Sequence, residues 1–422
     1  MTVERWSPGS SESRDGSERS ATDAAPQRGE SADDHRWQED LRAGVQRAAD
    51  LRRLPVLEED QRTAEVLKVR VPASHLALID WDDPADPIRR QAIPSARELE
   101  VLAGEREDPI GDAAHSPVPR VTHRYPDRAL LYPTYICSMY CRHCFRKEAI
   151  NEHGEGYSLA AIEPALAYFE RTPALREIIL TGGDPLTLTD RQLREVRERL
   201  EAIDHLRLLR VHTRVPVTLP TRVTAGLVEA LQGRLQVCVV THFNHPREIV
   251  PAAREACRRL RTAGFMLLNQ SVLLAGVNDT VEVMAELCQE LVYSLGAKPY
   301  YLHHCDLTRG VSHFRTSIER GQQLMRALQG RLSGLCQPTY VLDLPGGDGK
   351  VPVGPSYVEH HEGCDWVLTS YQGKRHEYRE VLGARASDAS EPQVAWRGGR
   401  RWVPRLVEHA PASRRAALVR SD

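Results

Sequence analysis

The alternation of apolar and amphipathic segments predicts an α/β fold: a partial (β/α)6 TIM-like barrel with an N-terminal helical extension and a C-terminal β-hairpin extension. Three observations carry this. First, six apolar runs of strand length, at 129–136, 177–181, 206–212, 235–241, 265–272 and 298–304, alternate with helical patterns near 158–170, 189–202, 223–232, 249–262, 279–294 and 316–329. Strands separated by helices pair in parallel through right-handed crossovers. Second, the helices carry start and stop signals. Thr189 precedes Gln192, Asp279 precedes Glu282 and Thr316 precedes Glu319, each at capping-box spacing. Pro251 opens a helix and Gly264 follows its end. Third, six units fall short of the eight that close a barrel, which leaves this one open on one side.

In chain order, residues 1–36 are rich in Ser, Asp, Glu, Arg and Gly and cannot offset chain entropy by burial, so a disordered tail is expected. Residues 37–118 read as short helices broken by Pro72, Pro84, Pro87 and Pro94, the helical extension. The barrel is placed at 119–355. Residues 356–422 form the C-terminal extension, in which Gln372-Gly373 sits between alternating segments and reads as a hairpin turn. Beyond about 384 the chain turns polar and its end is expected to be poorly ordered.

Composition excludes several functions. A net charge of −2 over 422 residues offers no basic field for nucleic acid or an anionic membrane. No apolar run approaches the roughly 20 residues of a membrane span, and no secretory leader is expected. Nine cysteines make no secreted disulfide framework, so a reducing, cytoplasmic location is expected.

The chemistry concentrates where the first strand ends. Cys137, Cys141 and Cys144 follow it in a CxxxCxxC spacing. Three thiolates on a four-iron cube leave one iron open, the mark of a reactive centre. A zinc site with a remote fourth ligand, or three small core residues, would give the same spacing. Thr181-Gly182-Gly183-Asp184-Pro185 closes the second strand; its glycines admit a ligand to the backbone and Asp184 can accept from an ammonium group. Pro345-Gly346-Gly347-Asp348-Gly349-Lys350 is not a phosphate-binding P-loop, since Val351 follows the lysine. Lys350 can form a Schiff base with an aldehyde such as pyridoxal phosphate, or be a solvated lysine on an exposed turn. Arg124, Tyr125 and Arg128 can hold a phosphate and a ring, or simply make surface ion pairs. Asp306 and Asp343, each after an apolar run, suit a cationic substrate head, and Arg146 suits a carboxylate. His242, His245, His303 and His304 read as cofactor-lining or packing residues in preference to metal ligands.

These motifs are colinear with Asp108–Asp112, His115–Pro119, His123–Arg128, Thr241–Pro246, Asn269–Leu273, Gly276–Asp279 and His313–Thr316. Together they resemble the lysine 2,3-aminomutase family of radical S-adenosylmethionine (SAM) enzymes over about residues 85–370. The resemblance implies that Cys137, Cys141 and Cys144 bind a [4Fe–4S] cluster. It implies that His143, Gly182, Gly183, Asp184, His242 and Gln270 line the SAM site. Lys350 would carry pyridoxal phosphate, with Tyr125 and Arg128 near its ring and phosphate. Arg146 would take the substrate α-carboxylate, and Asp306 and Asp343 the ε-ammonium of lysine. It also implies an electron donor such as flavodoxin or ferredoxin, and a homo-oligomer.

Two departures stand out. Larger members carry a C-terminal Cys-rich zinc motif and a cysteine where this chain has Thr280; only Cys364 lies beyond Cys336, so no structural zinc is expected. Phe145 and Lys147 flank Arg146 where Thr and Arg are usual. An arginine 2,3-aminomutase is the nearest rival reading, because a guanidinium would use the same acids; a glutamate 2,3-aminomutase would set its γ-carboxylate against them. A non-catalytic iron–sulfur protein would make Lys350 accidental, and a pyridoxal enzyme without radical chemistry would leave the cysteines unexplained.

Overall fold

A computed structural model describes residues 33–153 and 156–381, so the tail expected at 1–36 and the chain end beyond 381 lie almost wholly outside the described residues. The exception is α1 (Asp33–Ala43), which takes in the last residues assigned to the tail. The helical extension continues with α2 (Glu58–Val66), α3 (Ala73–Leu76) and α4 (Pro87–Ala92). Proline punctuates it as its chemistry requires. Pro87 sits at the first turn of α4, where Asp86 accepts from the backbone N of Ile88 (2.9 Å) and Arg89 (2.8 Å). A small apolar core of its own, including Leu51, Val71, Ile88 and Ile93, closes over Met139 from the cysteine loop.

The barrel follows. Strand β1 (Val121–Tyr125) turns antiparallel into β2 (Arg128–Thr134), and α5 (Lys147–His153) and α6 (Leu159–Glu170) lead to β3 (Glu177–Gly182). Then come α7 (Asp190–Glu201), β4 (Leu208–His212), α8 (Val215–Thr218), α9 (Ala225–Leu231), β5 (Gln236–Thr241), α10 (Pro251–Thr262), β6 (Met266–Leu273), α11 (Val281–Tyr293), β7 (Lys298–His304), α12 (Ile318–Leu328), β8 (Thr339–Asp343) and β9 (Lys350–Pro352). The strands stand in sequence order in one sheet, β2 to β8 parallel and β1 and β9 antiparallel at its two edges. All six expected strands and all six expected helices are present. The run before Asp343 adds a seventh parallel strand, and two short hairpins extend the sheet at both margins.

Alternation explains the layering. Leu209 and Val211 of β4 and Val239 of β5 are fully buried in the core that also contains Leu193, Leu227, Ala256, Leu260, Leu287 and Leu291 of the helices. Their neighbours Arg210 and His212 face the other way. The caps largely follow the sequence. Thr189 and Gln192 form the reciprocal capping box of α7. At α11 and α12 the cap moves one residue on, to Thr280 and Ser317, whose hydroxyls accept from Val283 N and Arg320 N. Asp279 is unavailable as that cap because it accepts from Gly276 N at 2.9 Å.

From Ser356 the chain forms a second compact unit. Strands β10 (Val358–Glu362), β11 (Asp365–Thr369) and β12 (Arg375–Arg379) make an antiparallel meander. The expected hairpin is β11–β12, turning at Gly373 with φ of +82°.

Candidate active site at the strand ends

The cysteine loop leaves the C-terminal end of β2 and is pinned by the helical extension. Arg142 makes a two-point ion pair with Glu98 (2.9 and 2.7 Å), its side chain 4% and that of Glu98 0% exposed. Its third nitrogen donates to the Lys68 carbonyl at 2.9 Å, and its backbone N donates to the Gln91 carbonyl at 3.0 Å. Arg70 donates to the Cys137 carbonyl at 3.1 Å. Burial, with the neighbouring charges of Asp184 and the other cysteines, pushes the Cys137 thiol well up, and burial pushes Cys144 up to about 11. Three free, partly buried thiols in one loop are poorly placed as thiolates by themselves; a polynuclear iron centre would supply the positive charge they lack. Among the described residues no three His, Cys, Asp or Glu side chains gather on a single ion. A cube asks for something else, one thiolate on each of three irons, so the donor set fits it.

The Gly-Gly-Asp turn packs against this loop. Gly183 N donates to Thr134 O (2.8 Å) and Asp184 N to Ile136 O (2.9 Å). A Cβ on Gly183 would stand 2.4 Å from the Ile136 carbonyl, and Gly182 has φ of +104°. These glycines therefore let the β3 end touch the backbone leading to the cysteines. The carboxylate of Asp184 differs from expectation: it is not open to an ammonium group. Oδ1 accepts from Leu186 N (3.0 Å) and Thr213 Oγ1 (2.7 Å), and Oδ2 from Arg214 N (2.7 Å) and Val215 N (3.1 Å). Asp184 ties the β3 turn to the segment after β4.

Histidines line the inner face. His143 is half-buried, accepts from Asn244 Nδ2 at 3.3 Å and leaves a buried Nδ1 without a partner. His242 meets the Gln270 amide at 3.1 Å, and burial holds it neutral, down to about 3. His212 packs edge-on to His242 with ring centroids 6.0 Å apart. The Nε2 atoms of His212 and His303 are buried without a partner. Burial pushes both imidazoles below their usual range. Neutral rings with open nitrogens suit hydrogen bonding to a bound molecule.

The opposite margin of the mouth holds the charges. Lys350, first residue of β9, reaches Asp343 at 2.6 Å, and His303 Nδ1 donates to the other oxygen at 3.2 Å. Burial alone would raise the Asp343 carboxyl; the bonds from His303 and Lys350 outweigh it and hold it below the carboxylate range. Asp306 goes the other way, pushed up to about 7 by burial and by the Asp343 charge. Lys350 N donates to Tyr125 OH at 3.0 Å, so β9 touches β1 across the open side of the sheet. Arg128 lies over the Tyr125 ring at 3.9 Å and pairs with Asp127 at 2.7 Å. The loop before Lys350 carries left-handed glycines at 346, 347 and 349, and Gly349 lies against Tyr125. A lysine beside a ring, a guanidinium and flexible backbone fits an aldehyde coenzyme bearing a phosphate.

Arg146 is brought to the same mouth, but it is already engaged. Asp112 accepts from its Nη2 (2.8 Å) and Nε (3.2 Å), and from Arg124 at 3.0 Å through its other oxygen. Phe145 stacks under Arg146 at 4.4 Å, while Lys147 lies 3.8 Å from Glu98, so the two unusual neighbours have distinct jobs. Sequence reasoning missed Asp112, His212 and Arg214. Asp112 was within a colinear stretch; His212 closes β4 and Arg214 follows two residues later, at the same strand ends as the named residues.

The comparisons agree with this geometry. Residues 131–288 match the radical SAM superfamily model, and residues 325–394 match a model described as lysine-2,3-aminomutase. The chain is 41% identical over 354 residues to the L-lysine 2,3-aminomutase of Clostridium subterminale, spanning 83% of this chain and 84% of that protein. It is 42% identical over 316 residues to the Methanococcus maripaludis L-lysine 2,3-aminomutase, 75% of this chain and 73% of that one. A glutamate 2,3-aminomutase of Clostridioides difficile is 40% identical over 303 residues, 71% of each. The chain thus belongs to the lysine 2,3-aminomutase family, radical SAM isomerases that work with a [4Fe–4S] cluster, SAM and pyridoxal phosphate.

Proposed function

We propose that this chain converts L-lysine to L-β-lysine by moving the amino group from the α- to the β-carbon. The observation that carries the reading is the charge content of the mouth, which gathers the Arg146 guanidinium with the carboxylates of Asp306 and Asp343. That content matches an amino acid with a carboxylate at one end and a cation at the other.

When bound, the cluster and SAM would supply the radical chemistry and pyridoxal phosphate would hold the amine. The chain's residues hold and orient. Cys137, Cys141 and Cys144 ligate the cluster. His143, His242, Gln270 and the backbone at Gly182 and Gly183 line the SAM site. Lys350 carries the coenzyme, with Tyr125 and Arg128 beside it. Asp184 has a tethering role there, its oxygens being fully used. Arg146 turns from Asp112 to the substrate carboxylate, a short exchange between two carboxylates for one guanidinium. Asp306 and Asp343 would take the ε-ammonium of lysine.

The family includes a glutamate enzyme, so the substrate needs its own test. A second carboxylate would face two acids here, which favours lysine. The reconstituted, reduced protein should be incubated with SAM, pyridoxal phosphate and lysine, arginine or glutamate in turn, with products read by mass spectrometry. β-Lysine is expected; β-arginine or β-glutamate without β-lysine would refute the assignment. A one-electron donor of flavodoxin or ferredoxin type, a cytoplasmic site of action and a homo-oligomer complete the reading. No helix among the described residues is long and apolar enough to cross a membrane.

A further inference from the structure

We propose that Arg214 is a positioning residue of the iron–sulfur site, holding the Cys141 sulfur and setting how readily the cluster accepts an electron. The inference rests on Cys137, Cys141 and Cys144 being the cluster ligands. Arg214 lies two residues beyond β4 with a side chain only 8% exposed, and its Nη1 donates to Cys141 Sγ at 2.8 Å. Its Nη2 donates to Gln91 Oε1 (2.6 Å) and Glu248 Oε1 (2.7 Å), two residues that are 0% exposed.

Each holder is itself held. The second oxygen of Glu248 accepts from Asn244 N (2.7 Å) and His245 N (3.1 Å). Gln91 accepts also from Asn244 Nδ2 (3.0 Å) and donates to the Pro87 carbonyl (3.0 Å). Asp184 fixes the Arg214 backbone from below. Burying a cation is costly, and pairing with Glu248 alone would answer that cost. Nη1 is instead aimed at one sulfur, and Nε is buried without a partner. The Asp184 tether, whose carboxylate is closed to SAM, gains a reason here: it delivers Arg214 to Cys141.

The consequence is electrostatic. Reduction adds one electron to a cluster that three thiolates have already made anionic. An N–H bond to a ligand sulfur and an adjacent buried cation favour that extra charge, and do so strongly where water is excluded. Glu248 meets the far nitrogen of the guanidinium and partly cancels the effect. The two residues should therefore act in opposite directions.

The test uses the full chain, reconstituted anaerobically with iron and sulfide. Iron and sulfide per chain are measured, and the midpoint potential is titrated with dithionite and followed by electron paramagnetic resonance. Arg214→Gln should keep its cluster at a lower midpoint potential, with Arg214→Lys between it and wild type. Glu248→Gln, which leaves the bond to Cys141 in place, should raise the potential. Fully loaded variants with unchanged potentials would overturn the proposal. If Arg214→Gln loses the cluster, Glu248→Gln decides alone, and an unchanged or lowered potential there overturns it. A wild-type chain that assembles no cluster would refute the ligand assignment itself, which is a separate result.

Discussion

The two sides of the barrel mouth are built on opposite plans. Around the cysteine loop the ion pairs are sealed: Arg142 with Glu98 at 4% and 0% side-chain exposure, Arg214 with Glu248 at 8% and 0%. Around Lys350 they are half open: Lys350 with Asp343 at 29% and 5%, Arg146 with Asp112 at 14% and 19%. A sealed pair cannot trade partners, because either charge left alone would be buried unpaired. A half-open pair can, because water and a ligand reach it. The cluster side is therefore set before anything binds, while the substrate side holds its charges in mutual reserve until a zwitterionic substrate takes them up.

The largest expected effect separates the two sides outright. Lys350→Ala removes the amine through which the proposed site would hold the coenzyme. Coenzyme trapped on the chain by borohydride, read by intact-mass analysis, should vanish along with aminomutase turnover. Iron content should stay at the wild-type level, and slow SAM cleavage should persist. Loss of the cluster in the same variant would show that the sides are not independent.

Next in size comes the stability contrast. Glu98→Ala leaves Arg142 buried and unpaired and should cost about 3–5 kcal/mol. Asp112→Ala breaks two half-open pairs, with Arg146 and Arg124, and should cost about 1–2 kcal/mol. Denaturant unfolding of the two chains checks this. Equal losses would remove the basis of the comparison.

These two sides were not equally legible in the sequence. The six strand–helix units were, because burial on both faces writes long apolar runs and helical periodicity at once. The edge strands β1 and β9 were not, since five and three residues are too short to carry a periodic signal. The cysteines and the acids stood out because each is chemically rare in its setting, whereas Lys350 drew its role from the family resemblance and read unaided as a lysine on an exposed turn. Asp184 was read as an ammonium acceptor because spacing shows that a carboxylate is present and not what fills its lone pairs. Arg214 was invisible for a related reason. Its partners Gln91, Cys141 and Glu248 come from three distant segments, and no local pattern joins them.

The Gly-Gly turn offers a smaller perturbation of the prebuilt side. Gly183→Ala puts a methyl 2.4 Å from the Ile136 carbonyl, which must move, and the cysteine loop with it. Overpacking of this kind costs about 1–3 kcal/mol. Iron per chain after reconstitution should fall in step with the loss of stability. Full loading would mean the loop tolerates displacement and is less rigid than its bonds suggest.

The mildest probe is pH, and it acts on the other side. Asp306 is pushed up to about 7 by burial and then by the Asp343 charge, from an ordinary value of 3.8. Between those limits the folded chain holds a proton that the unfolded chain has lost. The group therefore costs stability progressively as pH rises through that window, and fully above about 7. Binding has the opposite sign. A substrate ammonium needs the carboxylate, so lysine affinity should climb up to about tenfold per pH unit below 7 and level off above it. Commitment of Lys350 to the coenzyme removes a cation that lowers Asp306, so the break should move upward in the loaded enzyme. Asp306→Asn should raise the lysine KM roughly ten- to hundredfold, the worth of a hydrogen bond to a charged group, and flatten the profile. Kinetics at several pH values, with wild type and variant side by side, check both. A slope that survives in Asp306→Asn would assign the titration to another group and take Asp306 out of substrate binding.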